Sequence, residues 1–224
     1  MAGVYLSYPF CGQKCTYCNF ASRVFPRALE CDYVHALLGE IRSHAWRWTP
    51  ETLYLGGGTP SRMDAEALRL VLAAIPGRPW REATLEAAPG EITREKARLW
   101  REVGITRTSL GVQSFVQREM ARTGRRHTAA TVAAEVALLR EEGIEAINID
   151  LIAGLPGQTP TSWNQSLDWV ERLGVGHVSV YMLEVDEDSR LGRELLNGGT
   201  RYGAREAPDE EATAELYEIA VERL

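Results

Sequence analysis

A chain of 224 residues, 45% hydrophobic and 25% charged, carries enough apolar side chain for one sizeable core and needs no second one. Its formal net charge of −6 argues against a nucleic-acid surface as the main face, although Arg122, Arg125, Arg126 and His127 form one local basic cluster. Four cysteines bunched toward one end do not make a secreted disulfide framework, the first ten residues lack a basic and an apolar signal region, and no stretch approaches the ~20 apolar residues of a membrane span, so a cytoplasmic protein is expected.

The chain alternates short apolar or β-branched runs with amphipathic ones. The first run predicts a strand over 4–8, followed by a cysteine-bearing loop and a helix over 32–46 whose Val34, Leu37, Leu38 and Ile41 share one face. A strand over 52–55 leads into Gly56-Gly57-Gly58-Thr59-Pro60, after which Asp64 caps a helix over 64–75 that repeats Ala67, Leu68, Val71, Leu72 and Ile75. Strands over 83–87, 107–111, 146–151 and 177–183 follow, interleaved with helices over 93–102, 128–142 and 161–173, the last two ending at Gly143 and Gly174. Residues 186–208 are polar and read as a long loop before a helix over 209–224.

Strict alternation implies right-handed parallel βαβ units, which fit either a doubly wound sheet or an open part of a β/α barrel. Ligands gather at the carboxyl ends of the strands in both. The unusual residues fall there: the cysteine loop after the first strand, the glycine triplet after the second, Glu86 at the third, Gln113-Ser114 after the fourth, and Asp150 with Gly154-Leu155-Pro156-Gly157 at the fifth.

Cys11, Cys15 and Cys18 place three thiols within eight residues. Iron-sulfur clusters are held by cysteine thiolates and normally take four, so three would leave one iron of a 4Fe-4S cube open to a small molecule. Zinc asks for four tightly spaced ligands, which His35 and His44 do not complete, and a redox pair of Cys15 and Cys18 leaves Cys11 unexplained. Cys31 is expected to be a free, buried thiol.

The spacing Cys-x-x-x-Cys-x-x-Cys is similar to the cluster motif of the radical S-adenosylmethionine (SAM) superfamily. Tyr5 with Pro9-Phe10-Cys11, the block Gly56–Ser61, Leu85-Glu86 with Pro89-Gly90, the block Ser109–Phe115, Gly124-Arg125 with His127, and the block Asn148–Thr159 resemble, in order, the oxygen-independent coproporphyrinogen III oxidase family. Phe20, where the oxidases carry a further cysteine, resembles the heme chaperone branch, as do the Gly-Leu-Pro-Gly-Gln-Thr block and His177-Val178-Ser179-Val180-Tyr181.

The resemblance implies an α/β fold of the open, partial TIM-type (β/α)6 barrel kind with parallel strands. It further implies that Cys11, Cys15 and Cys18 hold a 4Fe-4S cluster, that SAM fills the open iron, and that reduction cleaves its sulfonium to a 5′-deoxyadenosyl radical. Gly57, Gly58, Thr59 and Glu86 would contact SAM, and Tyr5, Tyr17, Gln113, Arg125 and Asp150 would contact it or a second nearby ligand. By residue type alone, the glycine triplet is equally a tight turn, Arg125 a solvated charge, Asp150 a helix cap and His127 a turn stabiliser rather than a heme ligand.

The implied partners are heme or a porphyrin, a heme-acceptor protein and a low-potential electron donor, with no nucleic acid. The implied organisation is one core domain over 1–224, made of a β/α part over 1–183, a loop over 184–208 and a terminal helix over 209–224, without the family's C-terminal domain. Three departures stand out: Ser7 replaces the histidine before Pro-Phe-Cys, Tyr8 an aliphatic residue, and Ala88 the asparagine of a Glu-Ala-Asn-Pro block. A heme chaperone, a SAM-cleaving oxidoreductase acting on a porphyrinogen and a degenerate cluster-binding core all remain open.

Overall fold

Period-two patterning in the strands decides the architecture. Leu6 and Tyr8, Leu53 and Leu55, Ala83, Leu85 and Ala87, Leu110 and Val112, and Ile147, Ile149 and Leu151 are all buried on one side of a sheet. A computed structural model describes residues 2–224. Its strands are β1 (Gly3–Tyr8), β2 (Thr52–Gly57), β3 (Glu82–Ala87), β4 (Arg107–Gln113), β5 (Ala146–Ala153) and β6 (His177–Met182), all parallel and in sequence order across the sheet.

An order without reversal is that of a barrel wall, not of a doubly wound sheet, and among the described residues β1 and β6 do not pair. The wall is therefore open. Its outer face is covered by α1 (Arg27–Ser43), α2 (Ala65–Ala73), α3 (Arg94–Glu102), α5 (Ala129–Glu141), α6 (Pro160–Leu173) and α8 (Glu210–Arg223). Register places Tyr5 beside Tyr54, Ser7 beside Gly56, Glu86 beside Ser109, and Gly111, Asp150 and Ser179 in one row on the inner face.

Helix starts follow side-chain capping. The Asp64 carboxylate accepts from the Glu66 and Ala67 amides at 3.0 and 3.3 Å, and Thr93, Thr128, Thr159 and Asp209 cap their helices in the same way. Gly174 closes α6 in the left-handed conformation, φ 56°. No helix among the described residues is long and apolar enough to cross a membrane.

Two expectations are corrected. Residues 186–208 are not a loop: Ser189 caps α7 (Arg190–Leu196), the buried Leu191 anchors it, and a 3-10 turn spans Arg201–Glu206. One buried leucine in a polar segment is too sparse a pattern to announce a helix. Cys31 is exposed rather than buried, because α1 starts already at Arg27 and its buried stripe begins only at Val34. A further short helix, α4 (Gln117–Thr123), precedes Gly124.

The Gly-Leu-Pro-Gly-Gln-Thr block is organised by one buried side chain. Gln158 Oε1 accepts from the Gly154 and Leu155 amides at 2.6 and 3.2 Å, while its Nε2 donates to Ile152 O at 3.1 Å and Glu119 Oε2 at 3.3 Å. Gln158→Ala leaves several buried groups unpaired, each worth about 1–3 kcal/mol. The variant is expected to lower the denaturation midpoint by the equivalent of ~2–4 kcal/mol with the slope unchanged, measured by urea unfolding followed by circular dichroism.

Candidate cluster and nucleotide site

The cysteine loop is closed at its base, where the Cys11 amide donates to Arg23 O and the Arg23 amide to Pro9 O, both at 2.9 Å. Lys14 Nζ ties the far limb by donating to Phe20 O at 3.1 Å and Ser22 O at 3.0 Å. Thr16 fixes the middle: its amide and hydroxyl donate to Thr123 O and Arg122 O at the end of α4, both at 3.1 Å, and its carbonyl accepts from the Leu191 amide of α7 at 2.9 Å. Two elements that the sequence pattern did not announce therefore hold this loop.

Cys11, Cys15 and Cys18 are free and half-buried. Cys15 and Cys18 line a cavity of about 610 Å³ together with Lys14, Phe20, Arg23 and Arg190. Burial pushes the Cys18 thiol up, with Cys15 and Cys11 adding to the rise and the Phe20 backbone and Lys14 opposing it. Among the described residues no three His, Cys, Asp or Glu side chains form a site for a single metal ion. A cluster does not ask for that, since its cysteines bind separate irons.

Beside the loop, the inner face of the sheet is polar. Tyr5 stacks on Tyr54 with ring centroids 5.8 Å apart, Tyr54 Oη donates to Glu86 Oε1 at 2.9 Å, and the Gly57 amide donates to Glu86 Oε2 at 3.0 Å. Burial raises the Glu86 carboxyl above the usual range; these two hydrogen bonds pull it back and Asp150 pushes it further up. Asp150 is raised by burial too, against hydrogen bonds from Ser109 and Asn148, whose nearest contacts are 3.1 and 2.7 Å. Asn148 also donates to Ser109 Oγ at 2.8 Å and its Oδ1 accepts from the Ser179 hydroxyl at 3.2 Å, which fixes the network across β4, β5 and β6. Tyr54, Ser109, Asn148 and Ser179 join the candidate residues here, and the two-residue spacing Tyr54-x-Gly56, Ser109-x-Gly111 and Asn148-x-Asp150 is the sequence signal that marks this strand face.

A second group gathers where β4 ends. Gln113 follows a bulge and has φ 71°, a left-handed backbone for a non-glycine residue. Arg125 donates to Gly111 O at 2.6 Å and lies against Cys15 and Tyr17, whose phenol burial drives far above its ordinary range. Gln113 Oε1 and Arg125 Nε are buried without a partner among the described residues. Buried orphans of this kind, next to the cysteine loop, fit a polar ligand.

The remaining candidates separate. Gly58 and Thr59 serve the frame: their amides donate to Tyr8 O at 2.7 Å and Phe10 O at 2.9 Å, and a Cβ on Gly58 would lie 2.7 Å from Phe10 O. Gly57, at φ 108°, is the one glycine of the triplet whose left-handed backbone turns an amide toward Glu86. Arg122 leaves the basic cluster to pair with Glu206. The replaced Tyr8 is buried on the helix side, bonded to Glu30, so that departure does not touch the inner face; Ser7 does.

His127 is buried with its Nε2 3.2 Å from Val112 O, a turn-stabilising contact, and His177 sits at the start of β6, at the opposite end of the sheet, against Arg107. Burial, with Arg125 adding, lowers the His127 pKa to about 4 from 6.5. Its contribution to stability is present above pH 6.5 and is lost as pH falls through about 4. His127→Gln is expected to flatten that part of the stability–pH curve, measured by urea unfolding between pH 4 and 7.

The sequence profile of the Radical SAM superfamily matches residues 5–170, and the chain belongs to that superfamily. Over 98% of its length it is 32% identical to the heme chaperone HemW of Lactococcus lactis, and over its whole length 32% identical to that of Bacillus subtilis. The chain spans 58% and 60% of those two relatives. Its fold is that of the Escherichia coli coproporphyrinogen III oxidase HemN, a radical SAM enzyme, with TM-score 0.81 and 23% identity over 99% of this chain and 51% of that one.

Alanine replacement of Cys11, Cys15 or Cys18 is expected to abolish bound iron after anaerobic reconstitution, and Cys31→Ala to leave it intact. Iron and sulfide analysis with absorption near 400 nm checks this; full iron in Cys15→Ala would overturn the ligand assignment.

Proposed function

We propose that this chain is the cluster- and SAM-binding core of a heme chaperone. The observation that carries the reading is the gathering of the three cysteines, the orphaned Arg125 and Gln113 atoms, and the Glu86 and Asp150 carboxylates at one edge of an open parallel wall. Its HemW relatives supply the chaperone part. Cys11, Cys15 and Cys18 would hold a 4Fe-4S cluster, which when bound and reduced supplies an electron to the SAM sulfonium.

The chain's own residues bind and orient. Glu86 offers a carboxylate to ribose hydroxyls, Arg125 and Gln113 offer a donor and an acceptor beside the cluster, and Asp150 is held in place by Ser109 and Asn148. The oxidase reading is the alternative, and Phe20 in the cysteine cavity favours the chaperone.

Both histidines borne by or next to the sheet already have a partner, His127 on Val112 O and His177 on Arg107, so neither offers a free imidazole nitrogen pair for heme at this edge. Reconstituted protein is therefore expected to bind SAM in calorimetry, to take up heme only weakly in a spectroscopic titration, and not to convert coproporphyrinogen III. Stoichiometric tight heme binding abolished by His177→Ala would overturn the account of heme, and turnover of coproporphyrinogen III would restore the oxidase.

A further inference from the structure

We propose that Tyr54 is a positioning residue that holds the Glu86 carboxylate in the one orientation able to grip a vicinal diol, and that Gly56 is required because it leaves room for this contact. The inference rests on the reading of the site as a SAM site and adds to it a residue outside the recognised motif.

An ionised carboxylate has about four acceptor positions on its two oxygens. The Tyr54 hydroxyl occupies one on Oε1 at 2.9 Å and the Gly57 amide one on Oε2 at 3.0 Å. One acceptor position per oxygen is left, which matches the two adjacent hydroxyls of a ribose. The Tyr54 ring cannot swing away freely, since it stacks on Tyr5 at an interplanar angle of 16°. Tyr5 and Tyr54 are register partners on β1 and β2, so the sheet itself sets this contact.

Gly56 completes the arrangement. A Cβ there would lie 2.8 Å from Tyr54 Cε1 and 2.9 Å from Glu86 Oε1, between the two partners. Glycine is needed at this position to let two other side chains meet.

Tyr54 is a donor at every accessible pH, because burial and then Glu86 hold its phenol far above the ordinary range. The groups that act on Glu86 and Tyr54 are Tyr5 from β1, Asp150 from β5 and Tyr181 from β6. Diol binding needs Glu86 ionised, so affinity falls as pH drops through the Glu86 pKa. The Tyr54 hydrogen bond lowers that pKa, and removing it moves the loss of affinity to higher pH.

The test is calorimetric titration of SAM into anaerobically reconstituted wild type, Tyr54→Phe and Glu86→Gln across pH 5 to 8, with iron content as the control for folding. Tyr54→Phe keeps the ring stack and removes one hydroxyl. It is expected to bind SAM about tenfold more weakly at pH 7, the order expected for a hydrogen bond to a charged group, with its acid limb displaced upward. Glu86→Gln is expected to bind weakly without that limb. Weak binding by Glu86→Gln together with wild-type affinity and an unmoved limb in Tyr54→Phe would overturn the positioning role alone. Wild-type affinity in Glu86→Gln would overturn the SAM reading beneath it. Tyr54→His, which retains a donor on a ring, is expected to recover part of the affinity, and no recovery would count against orientation by hydrogen bonding.

Discussion

Two carboxylates, Glu86 and Asp150, share the inner face of a sheet whose other face is sealed by apolar side chains, and most neighbouring polar residues answer that constraint. An uncompensated buried charge costs several kcal/mol, so each carboxylate must be neutralised by a proton or surrounded by donors. The sheet supplies donors from several strands: the Tyr54 hydroxyl and Gly57 amide from β2, Ser109 from β4, Asn148 from β5. Because strand register fixes these positions, the polarity of the face is built into the backbone and needs no flexible loop to create it. That rigidity is what a site needs in order to orient a ligand without ordering itself at the moment of binding.

The cysteine loop follows a different principle. It has no regular structure; its two limbs pair with each other at Cys11 and Arg23, the Thr59 amide donates to Phe10 O, and α4 and α7 bond its middle at Thr16. A loop whose backbone is anchored at its base and its middle is ordered before any ligand arrives, which limits the ordering cost of binding to side-chain rotamers. Arg125 couples this loop to the sheet, since it touches Cys15 and Tyr17 on one side and Gly111 O on the other. The segment from Asp186 to Glu206 thus belongs to the scaffold of the candidate site, through contacts that a polar stretch read as a long loop does not announce.

Much of this was legible in the sequence, for identifiable reasons. Strands such as Ala146–Ala153 and helices such as Ala65–Ala73 carry strong periodicity and side-chain caps, so only their ends were displaced by a residue or two. The three cysteines announce themselves by spacing. What stayed hidden depends on contacts between distant segments: α7 is anchored by one leucine, Cys31 is exposed because the buried stripe of α1 begins after it, and Tyr54 reads as an ordinary strand residue until Glu86 is placed beside it. Choosing between a barrel wall and a doubly wound sheet likewise needed the strand order, because alternation alone fits both.

The motif blocks of this chain mix two kinds of residue, and the difference bears on how far a resemblance can be carried. Gln158 holds a turn, Asn148 holds Asp150, Gly58 lets the glycine loop close on Phe10 O, and Thr159 caps α6. None of these needs a ligand to account for it; each satisfies a backbone or carboxylate group that the fold itself exposes. Gln113 and Arg125 differ, because each retains a buried polar atom without a partner among the described residues, and Gln113 also adopts a left-handed backbone at a bulge. Unfavourable features that the fold does not require are where a ligand's contribution is written. By that criterion Gln113 and Arg125 are the positions where a ligand would complete the hydrogen bonding, whereas Gln158, Asn148, Gly58 and Thr159 already complete that of the frame.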